Sequence, residues 1–165
     1  MRMKHWLAVL WLAGAGAGWA DKAEVGKPFP PYTVQDAFEQ TNVLQKTTRF
    51  VIVASEKSVS EKVNEWLKTK APDYLPRHAT EYVSDITPMP GIITELFARP
   101  KMKKYPFKIL LARDEAFAKT YPSQPGKIAL FVLDDQQVLK DLTYVATPAE
   151  LEAPLKGAPA APARP

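Results

Sequence analysis

The spacing of apolar residues changes abruptly after residue 54, which predicts a strand followed directly by a helix. Phe50–Ala54 form a continuous apolar run of strand length, typical of a strand that is covered on both faces. Beyond it, apolar side chains recur at helical spacing, at Val59, Val63, Trp66 and Leu67. The pattern therefore predicts an amphipathic helix over residues 58–70 that packs on this strand, with Trp66 largely buried.

Local signals suggest where this helix begins and ends. Ser58 and Glu61 fit the S-x-x-E capping box, in which the hydroxyl and the carboxylate each satisfy a free backbone N–H. Pro72 disfavours helix at the residue before it, so the helix should end near Lys70. The turn before the helix faces its positive end, where α/β folds place ligands and reactive groups.

Further elements follow from the same patterns. Alternation from Tyr32 to Phe38, with turn residues at Thr41 and Asn42, predicts an N-terminal hairpin. Strands are expected at residues 79–86, 107–112, 128–133 and 138–145. Short helices are expected at three places. The first follows the turn at 87–91 and ends at Pro100, the second covers residues 115–120, and the third follows the Thr147–Glu150 capping box.

The fold class follows from three runs that are apolar on both faces, residues 50–54, 107–112 and 128–133. Strands of this kind need helices on both sides, so we expect an α/β fold in which the three are adjacent central strands.

The two ends of the chain differ from this domain. Arg2 and Lys4 precede a short apolar segment and the small residues Gly18 and Ala20, a pattern typical of a secretory signal peptide. We therefore expect residues 1–20 to be a signal peptide, either cleaved or kept as an anchor. Residues 21–156 would form the domain, and the Ala/Pro-rich residues 157–165 a disordered tail. This predicts a periplasmic or secreted protein, with no membrane partner after cleavage.

Charge and cysteine content exclude some classes of partner and of chemistry. The formal net charge of +4 falls to +2 when the two cations of the signal segment are removed. Only residues 101–104 carry a basic run, without interleaved aromatic residues, so nucleic acid is not an expected partner. The chain has no cysteine, which excludes disulfides, thiol redox catalysis and thiolate metal sites.

The closing strand-turn-strand-helix unit at 127–155 and the opening VGKPFPPYTVQD resemble the thioredoxin-like superfamily in its secreted peroxiredoxin-like branch. The MPG at 89–91, Phe97 with Arg99, and KKYP at 103–106 are similar to small periplasmic proteins of the YtfJ kind. The resemblance implies a thioredoxin-like central mixed sheet with helices on both faces and an N-terminal hairpin.

The same resemblance implies that the redox site has been lost. The two positions of the superfamily's redox cysteines would fall at Lys57 and Ser60, and its cis-proline at Ile128. A serine hydroxyl cannot replace a thiol in disulfide exchange, because its proton is held too tightly near neutral pH.

Other chemistry can be weighed from the residues. A serine at 55, 58 or 60 would need a base, and nothing ties His78 to any of them. Met89, Met102 and His78 could form a copper site, but core or surface roles are the simpler interpretation. Glu56 could pair with Asp85 or Asp114, although no spacing selects them. Asp134 and Asp135 fit a hairpin turn better than a calcium loop. We expect no catalytic residue, metal or cofactor.

Two function classes remain. The first is a non-enzymatic, redox-inactive module that binds an unidentified periplasmic protein or small ligand at the rim where the redox site would lie. The second is a cysteine-free enzyme, hydrolytic or metal-assisted, built on the same rim. The candidate binding residues share positions at strand ends near that rim. They are Ser55, Glu56, Lys57, Ser58, Ser60, Met89, Pro90, Gln124 and Pro125. A concave pocket with converging polar groups, rather than a flat rim, would favour the enzyme.

Overall fold

Seven strands form one mixed sheet within residues 22–157, the part of the chain that the computed structural model describes. Their bounds are β1 Thr33–Asp36, β2 Thr41–Val43, β3 Phe50–Ala54, β4 Thr80–Asp85, β5 Leu110–Ala112, β6 Ile128–Leu133 and β7 Leu139–Val145. The strand order is β2-β1-β5-β4-β3-β6-β7. β4 runs parallel to both β3 and β5, and the other pairs are antiparallel.

Short helices connect the strands. They are α1 Lys57–Lys68, α2 Tyr74–Arg77, α3 Gly91–Ile93, α4 Arg99–Met102, α5 Glu115–Thr120 and α6 Glu152–Lys156. A π-helical turn, Thr94–Ala98, joins α3 to α4, and a 3₁₀ turn, Pro148–Leu151, leads into α6. No helix in residues 22–157 is long and apolar enough to cross a membrane.

The central strand β3 is buried on both faces because its side chains alternate between two apolar clusters. Ile52 packs with α1 and α6 on one face. Val51 and Val53 pack on the other face, with Phe117 of α5. Burying each of these branched side chains stabilises the fold by about 1.5–3 kcal/mol. The predicted α/β architecture, with helices on both faces and an N-terminal hairpin, is confirmed.

The predicted adjacency of the three apolar strands is only partly correct. β3 and β6 are neighbours, but β4 separates β5 from β3 because the β3-α1-β4 crossover places β4 directly beside β3. The sequence concealed this position, since four of the six residues of β4 are polar. One of them, Glu81, is accommodated by hydrogen bonds from the hydroxyls of Tyr32 and Thr48, each at 2.5 Å.

The predicted start of α1 was wrong. The helix begins at Lys57 with Glu56 as the N-cap residue, no side chain caps it, and Ser58 lies exposed in its first turn. It ends at Lys68 rather than Lys70. Trp66 is only partly buried, because it lies at the edge of the cluster, where its ring contacts Tyr74 edge-on.

Two turn signals were also misplaced. Thr41 and Asn42 belong to β2, and the hairpin turns at residues 37–40, where Asp36 accepts hydrogen bonds from two backbone N–H groups of the turn. Pro100 does not end a helix, since it falls in the first turn of α4, directly after the π-helical turn. The second capping box is present, because the Glu150 carboxylate accepts from the Thr147 N–H at 2.9 Å.

The signal segment and residues 158–165 of the predicted tail lie outside the described residues.

Candidate functional site

A groove of about 580 Å³ opens at the rim of the sheet, beside the first half of α1. One side is α1, and the base is the C-terminal end of β4. The opposite side is the helical wall, our name for residues 91–102, which comprise α3, the π-helical turn and α4. The groove exists because β3 and β4 are parallel, so that both strands end at this rim and their connections lie on either side of it.

The base of the groove is polar and almost inaccessible to solvent. We call Ser60, Asn64, Ser84 and Asp85 the polar floor, since all four line the groove and are buried. The hydroxyl oxygens of Ser60 and Ser84 lie 2.7 Å apart and share a hydrogen bond. Asp85 accepts a hydrogen bond from the Thr87 N–H at 2.9 Å. These contacts give a rigid floor whose remaining hydrogen-bonding capacity points to a polar ligand group.

The layer below the floor is a buried tyrosine. The Tyr82 hydroxyl donates to the backbone oxygen of Ser60 at 3.4 Å. Complete burial raises the pKa of Tyr82 well above its usual value, so the phenol is neutral at physiological pH. Tyr82 therefore acts as a neutral support for the first turn of α1.

The mouth of the groove is apolar. Ile93 and Phe97 project from the helical wall with 43% and 65% of their surface exposed, and Met89, Met102 and Tyr105 extend the apolar lining inward. Large apolar side chains with this exposure beside a polar floor are the arrangement expected of a ligand site.

A buried arginine holds the helical wall in place. Arg99 forms ion pairs with Glu39 in the hairpin turn and, at 3.0 Å, with Glu95 one turn earlier in the wall. Glu95 also pairs with Arg113, after β5, at 3.1 Å. These ion pairs join the wall to the hairpin turn and to the residue that follows β5.

The outer rim carries charges that largely pair with one another. Lys57 faces Glu61 at 3.9 Å, and both side chains are more than half exposed. Glu56 accepts a hydrogen bond from the Gly126 N–H at 2.8 Å, which joins the start of α1 to the loop before β6. Lys101 lies on the opposite side, exposed to solvent.

The structure brings together most of the residues predicted from sequence. Six of them line the groove, namely Ser55, Glu56, Lys57, Ser60, Met89 and Pro90. Ser58 points away from it on the exposed side of α1. Gln124 and Pro125 are exposed and do not line it, and their loop is joined to the rim by the hydrogen bond from the Gly126 N–H to Glu56.

Sequence reasoning missed much of the floor and the wall. Asn64 and Ser84 were not considered, and Asp85 was considered only as a partner of Glu56. A signal was present: Ser60 and Asn64 interrupt the buried face of α1 one helical turn apart, and Ser84 and Asp85 interrupt a buried strand. Ile93 and Phe97 were not considered as site residues, although they form the exposed mouth of the groove.

The residues of the other candidate sites do not come together in the groove. His78 lies at the end of α2, where its Nδ1 is 2.8 Å from the Tyr74 oxygen, and it does not line the groove with Met89 and Met102. Asp114 caps α5 by accepting from the Ala116 N–H. The Asp134 side chain accepts from two backbone N–H groups of its own turn, as predicted for a hairpin. Within residues 22–157, no group of three acidic or histidine side chains could hold a metal ion.

The fold matches solved structures of thiol-disulfide proteins and peroxiredoxin-like proteins. The thioredoxin domain of a thiol-disulfide oxidoreductase from Bacteroides vulgatus aligns with a TM-score of 0.53 and 15% identity, over 81% of this chain and 96% of that chain. Peroxidoxin BcpB from Mycobacterium tuberculosis aligns with a TM-score of 0.54 and 12% identity, over 80% and 94%. A thio-disulfide isomerase from Thermus thermophilus aligns with a TM-score of 0.51 and 21% identity, over 82% and 99%. No protein-family model and no curated protein matches the sequence.

These matches show the fold alone, and they confirm that it is thioredoxin-like. The resemblance to proteins of the YtfJ kind stays a prediction.

Proposed function

We propose, from the premise that this is a thioredoxin-like fold without a cysteine, that the protein is a redox-inactive, non-enzymatic binding module. It acts in the periplasm or outside the cell, and its groove holds a small ligand or a segment of a partner protein. The observation that carries the proposal is the groove itself, in which a buried polar floor lies beneath an exposed apolar wall.

Thiol chemistry is excluded by composition. Disulfide exchange and peroxide reduction in thioredoxin-like proteins need a protein thiolate, and this chain contains no cysteine. At the start of α1 stand an exposed lysine, Lys57, and a buried serine, Ser60, whose hydroxyl is already paired with Ser84. The use that we propose for this rim is therefore recognition rather than thiol chemistry.

The enzyme alternative gains support from one observation, because the rim is concave and polar groups converge in it. A serine nucleophile would nevertheless need a base within hydrogen-bonding reach. In the described part of the chain, the hydroxyls of Ser60 and Ser84 bond to each other, and no hydrogen bond joins either one to a histidine or a carboxylate. The chemistry of the floor therefore supports binding over hydrolysis.

Export is the second part of the proposal, and the N-terminal sequence pattern supports it. Mass spectrometry of the periplasmic or secreted fraction should find an N-terminus at or near Asp21. Intact protein that retains Met1, recovered from membranes, would show an anchor instead.

A fragment screen tests binding directly. Purified, isotope-labelled protein is titrated with a library of small organic compounds of neutral, anionic and cationic type, and amide shifts are mapped by NMR. We expect the strongest hits to perturb the amides of Ser60, Ser84 and Phe97. If no hit maps to the groove, the binding proposal is wrong, and if hits are converted to products, the enzyme alternative is right.

Two matched variants test whether the hits bind at the mouth of the groove. Phe97→Asp places a charge at the mouth of the groove, whereas Leu96→Asp makes the same change at a side chain that is 61% exposed but outside the groove. We expect the first to weaken the neutral and anionic groove hits and the second to leave them unchanged. Equal weakening by both variants would contradict the assignment.

A further inference from the structure

We propose that the groove selects an amphipathic organic ammonium ion, with its protonated amine held at the polar floor by Asp85 and its apolar body lying against the helical wall. This inference rests on the binding function proposed above, and names the class of ligand.

The Asp85 carboxylate has no counter-ion. The residue is 7% exposed. Its one hydrogen bond within residues 22–157 is made by Oδ1, which accepts from the Thr87 N–H. It forms no ion pair within residues 22–157, although Lys57 and Lys101 line the same groove. A buried carboxylate is costly unless a cation or several donors approach it, so a cationic ligand group would supply the missing partner.

Asn64 provides a second, independent indication. Its side chain lines the groove, the residue is only 3% exposed, and its Oδ1 has no hydrogen-bond partner. Buried polar atoms of this kind are rare in folded proteins. Because Oδ1 is itself closed to solvent, the terminal amide must rotate before a ligand in the groove can reach this oxygen. Rotation of the terminal amide can present either its oxygen or its nitrogen to the groove.

The floor matches the geometry of an ammonium group, which has three donors and no acceptor. Asp85 offers a carboxylate oxygen, and Asn64 offers an amide oxygen once its terminal amide is rotated toward the groove. The hydroxyls of Ser60 and Ser84 use one hydrogen bond between them, which leaves lone pairs free to accept. A carboxylate ligand would find only the hydroxyl and amide hydrogens there, and it would meet Asp85 with the same charge.

The other charges at the rim do not cancel the preference of the polar floor for an ammonium group. Lys57 is paired with Glu61, and Lys101 acts on the neighbouring Glu65, whose pKa is lowered mainly by Lys68 and to a smaller extent by Lys101. All of these side chains are exposed, so solvent and salt screen them, whereas the charge on Asp85 is screened much less. The positive end of α1 favours anions, but the N-cap residue Glu56 already carries a carboxylate near that end, bonded to the Gly126 N–H.

Three probes with the same apolar body and different head groups test the inference. They are 4-phenylbutylamine, which is protonated at neutral pH, 4-phenylbutanol and 4-phenylbutyrate. Each is titrated into purified protein, and binding is followed by the NMR shifts of Ser60, Ser84 and Phe97. We expect the ammonium probe to bind about tenfold to a hundredfold more tightly than the alcohol, as for a hydrogen bond to a charged group, and the carboxylate to bind most weakly.

The variant Asp85→Asn removes the charge and keeps an oxygen for the Thr87 N–H, so the turn should remain folded, which thermal unfolding checks. We expect it to lose the preference for the ammonium probe and to bind the alcohol as before. Glu61→Gln removes an exposed carboxylate of the same groove and should retain the preference.

The wild-type titration decides the inference even without variants. Equal affinity for ammonium and alcohol, or tighter binding of the carboxylate, would overturn the choice of ligand class but leave groove binding intact. A wild-type preference that persists in Asp85→Asn would overturn the role of Asp85. If none of the three probes moves the groove amides, the ligand class is wrong, and the fragment screen decides separately whether the groove binds anything.

Discussion

The carboxylate of Glu56 accepts a hydrogen bond from the backbone N–H of Gly126 at 2.8 Å, across 70 residues of sequence. Glu56 precedes α1, and Gly126 lies in the loop that leads into β6. Gly126 has a φ of +69°, a conformation that other residues adopt only with strain, so the loop is shaped to present this N–H. The bond fixes the outer edge of the rim where two connections meet.

Removing this acceptor should loosen the rim without unfolding the protein. We expect Glu56→Ala to lower the free energy of unfolding by about 0.5–1.5 kcal/mol and to accelerate hydrogen exchange at Gly126. Glu56→Gln retains an acceptor oxygen and should behave nearly as wild type. Urea unfolding and amide exchange measure both effects, and an unchanged exchange rate at Gly126 in Glu56→Ala would argue against the bond.

Acid should destabilise the contact between α6 and α1. The pKa of Glu152 is lowered to about 2 by hydrogen bonds from Lys70, then Lys156 and Trp66. Because the pKa in the folded state lies below the unfolded value of 4.5, this stabilisation is fully present above pH 4.5. It is lost as the pH falls from there towards 2.

The variant Glu152→Gln should therefore show a flatter dependence of unfolding free energy on pH between about 4.5 and 2 than wild type. Denaturant unfolding at several pH values measures the difference between the two curves. Parallel curves across this window would mean that the contact with Lys70 does not perturb Glu152.

Two cysteines should restore a redox pair at the rim. Lys57 is the first residue of α1, and Ser60 lies three residues later, so thiols there would face the positive end of the helix. We expect the double variant Lys57→Cys with Ser60→Cys to form an internal disulfide and to have at least one thiol with a lowered pKa. Weak insulin reduction should follow, whereas wild type should show none.

The control for that experiment has the same spacing in the middle of α1, Lys62→Cys with Glu65→Cys, away from the positive end. Thiolate absorbance against pH compares the two pairs. An ordinary thiol pKa at position 57, or no internal disulfide, would contradict the placement of the redox turn. Insulin reduction by wild type would contradict the chemistry.

Two of the three continuous apolar runs were placed accurately, whereas the strand expected over residues 107–112 forms only as β5, Leu110–Ala112. The bounds of β3 and β6 agree with the prediction, because strands buried on both faces tolerate few polar residues. β4 was harder to place: its polar residues are satisfied by partners distant in sequence, such as Tyr32, which is 49 residues from Glu81.

The candidate site depended even more on contacts between distant residues. The end of β3 and the start of α1 were predicted because strand and helix patterns meet there. Of the polar floor only Ser60 was predicted as a site residue, because Ser60 and Ser84 are brought together by the parallel pairing of β3 with β4. The exposed wall was missed, since its apolar spacing is the same as that of a buried helix.

The central claim, that the groove is occupied in the cell, is tested most directly by photocrosslinking in the producing organism. The photoreactive residue p-benzoylphenylalanine replaces either Phe97 at the mouth of the groove or Leu96 outside it. After irradiation, intact-mass analysis of the purified protein should reveal a defined adduct at position 97 and none at position 96. Adducts of equal yield at both positions, or none at position 97, would contradict the claim.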